Sequence, residues 1–346
     1  MLSEIAEQPV ALERTLTECL PRIEALRKRL TSRPRMVVLV ARGTSDNAAQ
    51  FGRYLIEITT GIPVSLAAPS VTTVYHAELD WKDALVVGLS QSGESTDTNL
   101  CLESARARGA FTIGITNEAG SAMTRVVDEL LLVRAGREKS VAATKTYTGQ
   151  LMMMYLLAYA LGAAIPLDGL RAVPAAASAA LGVEDEVRSL AERYRYMERA
   201  VVIGRGLNYA NAFEFALKLM ETCYVVAERF SGADFAHGPI ALVERNFPVF
   251  LFAAPGVTGD GAVKMVERLS GLQAETVVIT SEARRGEIRL ATQSVVLPNP
   301  PAGDPADLFS TIPFVIPGQL FAGLLAGHKG LDPDQPRTLS KVTKTV

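Results

Sequence analysis

The chain has 346 residues, of which 48% are hydrophobic and 21% are charged, a composition that excludes a disordered protein and a small disulfide-stapled scaffold. Its net charge of -2 excludes the bulk field that would hold nucleic acid or anionic lipid, so we expect neither as a partner. The three cysteines are widely spaced and fit neither a disulfide framework nor a metal-binding motif. We therefore expect a cytoplasmic protein with no metal site and no cofactor.

Neither the N-terminus nor the most apolar segment predicts a membrane protein. The N-terminus is acidic and has no apolar run of the kind found in a signal peptide. The segment 151–167 is apolar, but Gly162 interrupts it, Pro166 closes it, and it falls short of a usual span. We interpret it as a helix of a protein core or a subunit interface.

Short apolar runs alternate with helical patterns along the chain. The predicted strands are Met36–Val40, Ala84–Leu89, Phe111–Thr116 and 129–133 in the first half, then 201–203, 249–252, 276–279 and 294–297 in the second. Apolar strands separated by helices are typical of parallel sheets that helices cover on both faces. The predicted fold class is therefore α/β, with two tandem doubly wound parallel sheets of the flavodoxin-like type. The Ala-rich segment 163–180 separates the predicted domains, 1–165 and 181–346.

The two halves repeat each other. Residues 37–48 align with 200–211, and each copy is an apolar run followed by Arg-Gly and a polar turn that opens a helix. This pattern indicates a duplicated domain.

A cluster of hydroxyl side chains follows the predicted strand Ala84–Leu89. The segment 90–98 reads Ser-Gln-Ser-Gly-Glu-Ser-Thr-Asp-Thr and leads into a helix from about residue 99. Backbone N–H groups at a helix start and short hydroxyl side chains favour an anion, which predicts a site for a phosphomonoester. The alternative is a helix cap within a polar loop. The matching segment 253–258 lacks this hydroxyl cluster, so we expect only the first half to retain an anion site.

Three charged residues form a stripe on an otherwise apolar helix, 209–225. Glu214, Lys218 and Glu221 are four and three residues apart, which places them on one face. We interpret the stripe as the wall of a cleft in a largely buried helix, and the alternative is a structural ion pair.

Two further segments have two interpretations each, and a third has one. His237 stands in a predicted loop, 230–239, and is either a structural histidine or part of a site. The segment 138–148 is either the capped start of the apolar helix or a loop whose backbone closes over a sugar. The tail 335–346 has no apolar periodicity and is, on its own pattern, a frayed end.

These motifs together resemble the sugar-isomerase (SIS) family, including the isomerase half of glucosamine-6-phosphate synthase and the SIS-type glucosamine-6-phosphate deaminases. The resemblance covers almost the whole chain. The residues that carry it are 42–45 (Arg-Gly-Thr-Ser), 90–95 (Ser-Gln-Ser-Gly-Glu-Ser), 141–145 (Val-Ala-Ala-Thr-Lys), 214–221 and 237–239 (His-Gly-Pro).

The resemblance implies a role for each matching residue. The sugar phosphate would be held by Ser90, Gln91, Ser92 and Ser95, and the sugar would be lined by Thr44, Ser45, Val141 and Glu214. Glu221 would be the base that moves a proton between C1 and C2, and Lys218 its neighbour near the substrate. His237 would open the sugar ring from the neighbouring subunit, which implies a homodimer, and Lys341 would close over the sugar.

Two departures from the family pattern shape the predicted activity. The chain begins only 35 residues before the first predicted strand, too few for a glutaminase domain, so we expect none. Deamination of glucosamine 6-phosphate to fructose 6-phosphate and ammonia is therefore the expected reaction. Ala143 stands where the synthase has a serine, which leaves the identity of the sugar open.

Other activities remain as alternatives. They are a galactosamine-6-phosphate deaminase, a sugar-phosphate deglycase, the isomerase half of a glucosamine-6-phosphate synthase, and a sugar-phosphate sensor without catalysis. A sensor that regulates transcription needs a helix-turn-helix, and the segment before Met36 is too short to form one.

Overall fold

A computed structural model describes residues 1–341, and the chain divides into two compact units. The first-sheet unit consists of Val10–Lys139, Lys145–Ile165 and 339–341. The second-sheet unit consists of Met1–Pro9, Ser140–Thr144 and Pro166–Thr338. The domain ranges 1–165 and 181–346 stay a prediction beside these compact units.

The first-sheet unit has a five-stranded parallel sheet in the order β2-β1-β3-β4-β5. Its strands are β1 (Met36–Val40), β2 (Val64–Leu66), β3 (Ala84–Leu89), β4 (Phe111–Thr116) and β5 (Glu129–Leu132). Its helices are α2 (Gln8–Arg29, whose first two residues belong to the other unit), α3 (Thr44–Thr60), α4 (Pro69–Thr73), α5 (Thr96–Ala107), α6 (Met123–Val126) and α7 (Lys145–Ala160). The central strand β3 is buried along its whole length, as expected where helices cover both faces.

The second-sheet unit repeats this topology, with the strand order β10-β9-β8-β6-β7 and parallel pairing throughout. Its strands are β6 (Arg199–Gly204), β7 (Val226–Ser231), β8 (Pro248–Ala253), β9 (Glu275–Ser281) and β10 (Gln293–Leu297). Its helices are α1 (Leu2–Ala6), α8 (Leu167–Leu181), α9 (Glu184–Arg193), α10 (Tyr209–Cys223), α11 (Gly232–Ala236), α12 (Gly259–Gly271) and α13 (Thr311–His328). The two sheets confirm the predicted α/β class and its two doubly wound repeats.

The strand pattern missed one edge strand in each sheet. β2 has only three residues, too few for a periodic signal. β7 carries Glu228 and Arg229 and lies at the edge of its sheet, where charged side chains are common. The prediction of a loop over 230–239 is also wrong, because the charged residues of β7 conceal the strand pattern. Residues 230–231 end β7, and α11 follows directly.

Apolar helices fill the interior of both units. All but one residue of α7 is buried, and α7 packs against α3, which agrees with interpreting its apolar run as a core helix. In the described residues, α13 alone is long and apolar enough to span a membrane by length and composition. Because 89% of that stretch is buried, and α13 packs on α8, α9 and α10, it has the character of a core helix.

Candidate active site

The hydroxyl-rich segment forms a tight turn between β3 and α5. The backbone N–H of Gly93 donates to Oγ of Ser90 over 3.1 Å, and the N–H of Glu94 donates to Oγ of Ser92 over 3.2 Å. Gly93 has a φ of +65°, and a Cβ there would lie 2.1 Å from Oγ of Ser121, so the turn requires glycine. These contacts fold Ser90, Gln91 and Ser92 into one compact loop at the carboxyl end of β3.

The start of α5 stands directly after this loop. Ser95 precedes the first helical residue, and its Oγ lies 3.1 Å from Oγ1 of Thr98. The helix therefore begins at residue 96, three residues earlier than predicted, and its first turn follows the hydroxyl loop without a gap. A helix start beside hydroxyl donors is a favourable place for a phosphate group.

An ion pair at this helix start was not foreseen in the sequence. Asp97 is 1% exposed, and Nε and Nη2 of Arg42 donate to its Oδ2 over 3.1 and 2.5 Å. Arg42 belongs to the turn after β1, so the pair joins the two neighbouring central strands of the sheet at their carboxyl ends. Open parallel sheets bind ligands beyond the carboxyl ends of their strands, so the ion pair lies where a ligand is expected.

The turn after β1 also positions the predicted sugar-lining residues. Thr44 and Ser45 begin α3, and Gly43 before them has a φ of +56°, which glycine adopts without strain. Nε2 of Gln150 on α7 donates to Oγ of Ser45 over 2.9 Å, and both side chains are buried. Burial raises the pKa of the neighbouring Asp46, while Arg42 opposes this effect.

In the second-sheet unit, the charged stripe lies on α10 and is almost entirely buried. Nζ of Lys218 is 3.4 Å from Oε1 of Glu214 and 2.5 Å from Oε2 of Glu221. The side chains of Glu214 and Lys218 have no exposed surface, whereas that of Glu221 is 24% exposed. Burial alone would lower the pKa of Lys218, but the two carboxylates outweigh it, so the pKa lies above its ordinary value. Glu221 is thus the member of the stripe that solvent can reach.

The structure also places two other predicted site residues of this unit, His237 and Val141. His237 follows α11 with an exposed side chain, which forms no hydrogen bond or ion pair with any of residues 1–341. The backbone N–H of Val141 donates to the carbonyl of Asp334 over 3.1 Å. Neither observation assigns a chemical role to His237 or to Val141.

The predicted lysine of the tail is held within the first-sheet unit. Nζ of Lys341 lies 3.2 Å from Oε2 of Glu138, whose side chain is fully buried. The same carboxylate accepts hydrogen bonds from the backbone N–H and the hydroxyl of Thr146 at the start of α7. The tail is therefore attached at Lys341, and the remainder of the segment predicted as frayed, 342–346, lies outside the described residues.

Cysteine chemistry and metal binding find little support in residues 1–341. The three cysteines are free and buried, and burial raises the pKa of Cys19 and Cys223 to about 11, so both thiols stay protonated at neutral pH. No cluster of three or more His, Cys, Asp or Glu side chains in this range has metal-binding geometry.

Comparison with known proteins identifies relatives of the whole chain. The SIS domain family matches residues 30–160 and 194–302. The glutamine–fructose-6-phosphate aminotransferase (isomerizing) of Aquifex aeolicus is 38% identical over 100% of this chain and 57% of its own length. The chain therefore spans a little over half of this curated relative.

Two solved structures resemble the chain over nearly their full lengths. The C-terminal domain of a glucosamine–fructose-6-phosphate aminotransferase from Francisella tularensis has a TM-score of 0.88 and 27% identity, covering 97% of this chain and 98% of that one. A candidate phosphosugar isomerase from Silicibacter pomeroyi has a TM-score of 0.80 and 32% identity, covering 96% and 98%. Both matches include both sheets.

Proposed function

The chain belongs to the SIS domain family, and we propose that within this family it is an enzyme of the sugar-isomerase type acting on a hexosamine 6-phosphate. The reaction that we propose converts glucosamine 6-phosphate to fructose 6-phosphate and ammonia in the cytoplasm. Two of the relatives described above are named as fructose-6-phosphate aminotransferases. Their names support a hexose phosphate as the substrate class.

The observation that carries the proposal is the pairing of Lys218 with Glu221 on α10. A carboxylate that solvent reaches on one side, and that a buried ammonium holds on the other, is suited to accept and return a proton at a bound carbon. Glu221 is therefore our candidate for the general base.

The chemical steps follow from the substrate. Ring opening frees the C1 aldehyde, and removal of the C2 proton by Glu221 gives an enolamine with its negative charge on O1. Return of the proton to C1, with transfer of one amino proton to O1, gives the C2 imine of the ketose. Water then adds to this imine, and loss of ammonia leaves fructose 6-phosphate. In this scheme Lys218 holds Glu221 in place, and Glu214 contacts the same ammonium within the helix.

The remaining predicted residues complete the proposal. We assign phosphate binding to the hydroxyl loop with Ser90, Gln91, Ser92 and Ser95, because its turn geometry and the following helix start both favour an anion. Thr44, Ser45 and Val141 would contact the sugar, His237 would open its ring as part of a homodimer, and Lys341 would close over it.

A second candidate activity is the isomerase step of a glucosamine-6-phosphate synthase, which runs in the opposite direction. The identity to the Aquifex aeolicus aminotransferase favours it. Both activities use the same proton transfer and differ in whether ammonia leaves or enters. Galactosamine-6-phosphate deamination, deglycation and sensing without catalysis stay as weaker alternatives.

An ammonia-release assay separates these candidates. The purified protein is incubated with glucosamine 6-phosphate, galactosamine 6-phosphate or a glycated amine phosphate, and ammonia and ketose phosphate are both measured. The proposal predicts equal amounts of ammonia and fructose 6-phosphate from glucosamine 6-phosphate. Amination of fructose 6-phosphate by ammonium, without release of ammonia from glucosamine 6-phosphate, supports the synthase step. A protein that binds these sugars and converts none of them is a sensor.

A further inference from the structure

The second-sheet unit has a cavity of about 250 Å³ near the carboxyl ends of β6 and β8. Gly204 at the end of β6 and Phe252 near the end of β8 both line it. The chain leaves these neighbouring strands in opposite directions, from β6 to β7 on one side and from β8 to β9 on the other. Open α/β sheets bind ligands at such a reversal of strand order. The cavity therefore lies where the topology alone predicts a ligand.

The location matches the hydroxyl loop of the first-sheet unit through the internal repeat. β6 and β8 occupy the positions of β1 and β3 in the two strand orders. The hydroxyls that follow β3 have no counterpart after β8, where the sequence is Ala-Ala-Pro-Gly-Val-Thr. The expectation that only the first half retains an anion site rested on this absence of hydroxyls. Cationic side chains in the second half provide a different kind of anion site.

Three cations line the cavity, and no acidic residue does. They are Arg205 in the turn after β6, and Lys264 and Arg268 on α12. None of the three forms an ion pair with a carboxylate of the described residues, in a chain whose net charge is -2. Lys264 and Arg268 are four residues apart on one helix, where like charges repel each other. A bound anion would remove this repulsion.

The remaining lining is apolar and leaves room for a ligand body. Ile203, Leu251 and Phe252 are buried in the sheet, and Met265 of α12 is 7% exposed. A Cβ built on Gly261 would meet no atom within 4 Å, so the α12 side of the cavity is open space. Apolar walls with a few convergent polar groups are typical of sites for small organic ligands.

We propose that this cavity binds a small organic phosphate with an aromatic or apolar body, of about the size of a nucleoside monophosphate. The three cations bind the phosphate, and the apolar floor of Ile203, Leu251 and Met265 binds the body. The volume is slightly below the roughly 300–1,000 Å³ of common ligand pockets, which favours a single small molecule with its phosphate at the open rim. The site is separate from the hydroxyl loop and does not depend on the sugar reaction.

Isothermal titration calorimetry with adenosine 5′-monophosphate as the probe tests the site. Adenosine is the control that lacks the charged phosphate, and inorganic phosphate is the control that lacks the aromatic body. We expect both to bind at least tenfold more weakly than the monophosphate. Equal affinity for adenosine and its monophosphate would overturn the role of the cations, and equal affinity for phosphate alone would overturn the role of the floor.

Variants locate the binding on the protein. Lys264→Ala with Arg268→Ala is expected to weaken monophosphate binding at least tenfold, whereas Arg245→Ala with Arg289→Ala removes the same charge elsewhere in the unit and should change it less than twofold. Gly261→Leu fills the open side of the cavity, favours the helix, and should abolish binding without lowering the melting temperature. Ser92→Ala should leave binding intact. Binding that survives Gly261→Leu, or no binding by the unaltered protein, contradicts the proposal.

Discussion

Nζ of Lys218 lies 2.5 Å from Oε2 of Glu221, and both residues project from the same side of α10. Lys218 has no exposed surface, so its charge is stable only because carboxylates surround it. The contact links the stability of the second-sheet unit to the residue that we propose as the base. Variants of the two partners should therefore have different effects, one on folding and one on catalysis.

Replacement of Lys218 by Met should destabilise the protein by about 3–5 kcal/mol, because it leaves the buried carboxylate of Glu214 without its cation. Urea denaturation gives the free energy of unfolding. A loss below about 1 kcal/mol would show that Lys218 is not needed to balance these carboxylates.

The same ion pair fixes the alkaline stability of the unaltered protein. The pKa of Lys218 is raised above its ordinary value, so its stabilising charge is complete below that ordinary value and is lost as the pH rises through the raised pKa. Thermal melting from pH 8 to 11 should show the loss attributable to Lys218 only at the alkaline end. The Lys218→Met variant is the control and should lack this component, and the same alkaline loss in both proteins would assign it to other groups.

Replacement of Glu221 by Gln should lower turnover of glucosamine 6-phosphate by at least a thousandfold, because the amide cannot accept the C2 proton. The dissociation constant for fructose 6-phosphate, measured by calorimetry, should change less than threefold. Glu228→Gln is the matched control on an exposed edge strand and should leave turnover unchanged. Turnover within tenfold of normal in the Glu221 variant would remove this residue from the mechanism.

Replacement of Ser92 by Ala should weaken binding of fructose 6-phosphate by about tenfold or more, since a hydrogen bond to a charged group contributes roughly 1.5–3 kcal/mol. Binding of unphosphorylated fructose should not change. Ser189→Ala on the exposed face of α9 controls for the loss of a hydroxyl. An equal loss for both sugars would place Ser92 away from the phosphate.

Replacement of Gln150 by Leu should cost about 1–3 kcal/mol of stability, because it leaves the buried hydroxyl of Ser45 without its donor. Differential scanning calorimetry measures this change. If Ser45 lines the sugar, the Michaelis constant should also rise, whereas the Tyr147→Phe variant on the same buried helix should keep it. A variant as stable as the parent would mean that water replaces the amide.

The sequence predicted those features that depend on local spacing. The continuous apolar runs of β3 and β4 predicted strands buried on both faces, and the 3.6-residue period of a helix placed the charged stripe on one face of α10. The start of α5 was placed three residues late, because the hydroxyls at its N-terminus are equally typical of a loop.

Contacts between distant residues could not be predicted in this way. Gln150 and Ser45 are 105 residues apart, and Arg42 and Asp97 are 55 apart, so no periodic pattern joins them. The cationic cavity was missed for a related reason: its three cations come from two separate segments, and a search for hydroxyls alone passes over them.

The transfer of label from C2 of glucosamine 6-phosphate tests the central claim most directly. The protein is incubated with substrate that carries deuterium at C2, and the products are followed by nuclear magnetic resonance and mass spectrometry. We predict fructose 6-phosphate in which the deuterium has moved to C1 or exchanged with solvent, with no such product from Glu221→Gln. Deuterium that stays at C2 with the unaltered enzyme, under conditions in which the sugar phosphate binds, would contradict proton transfer between these carbons.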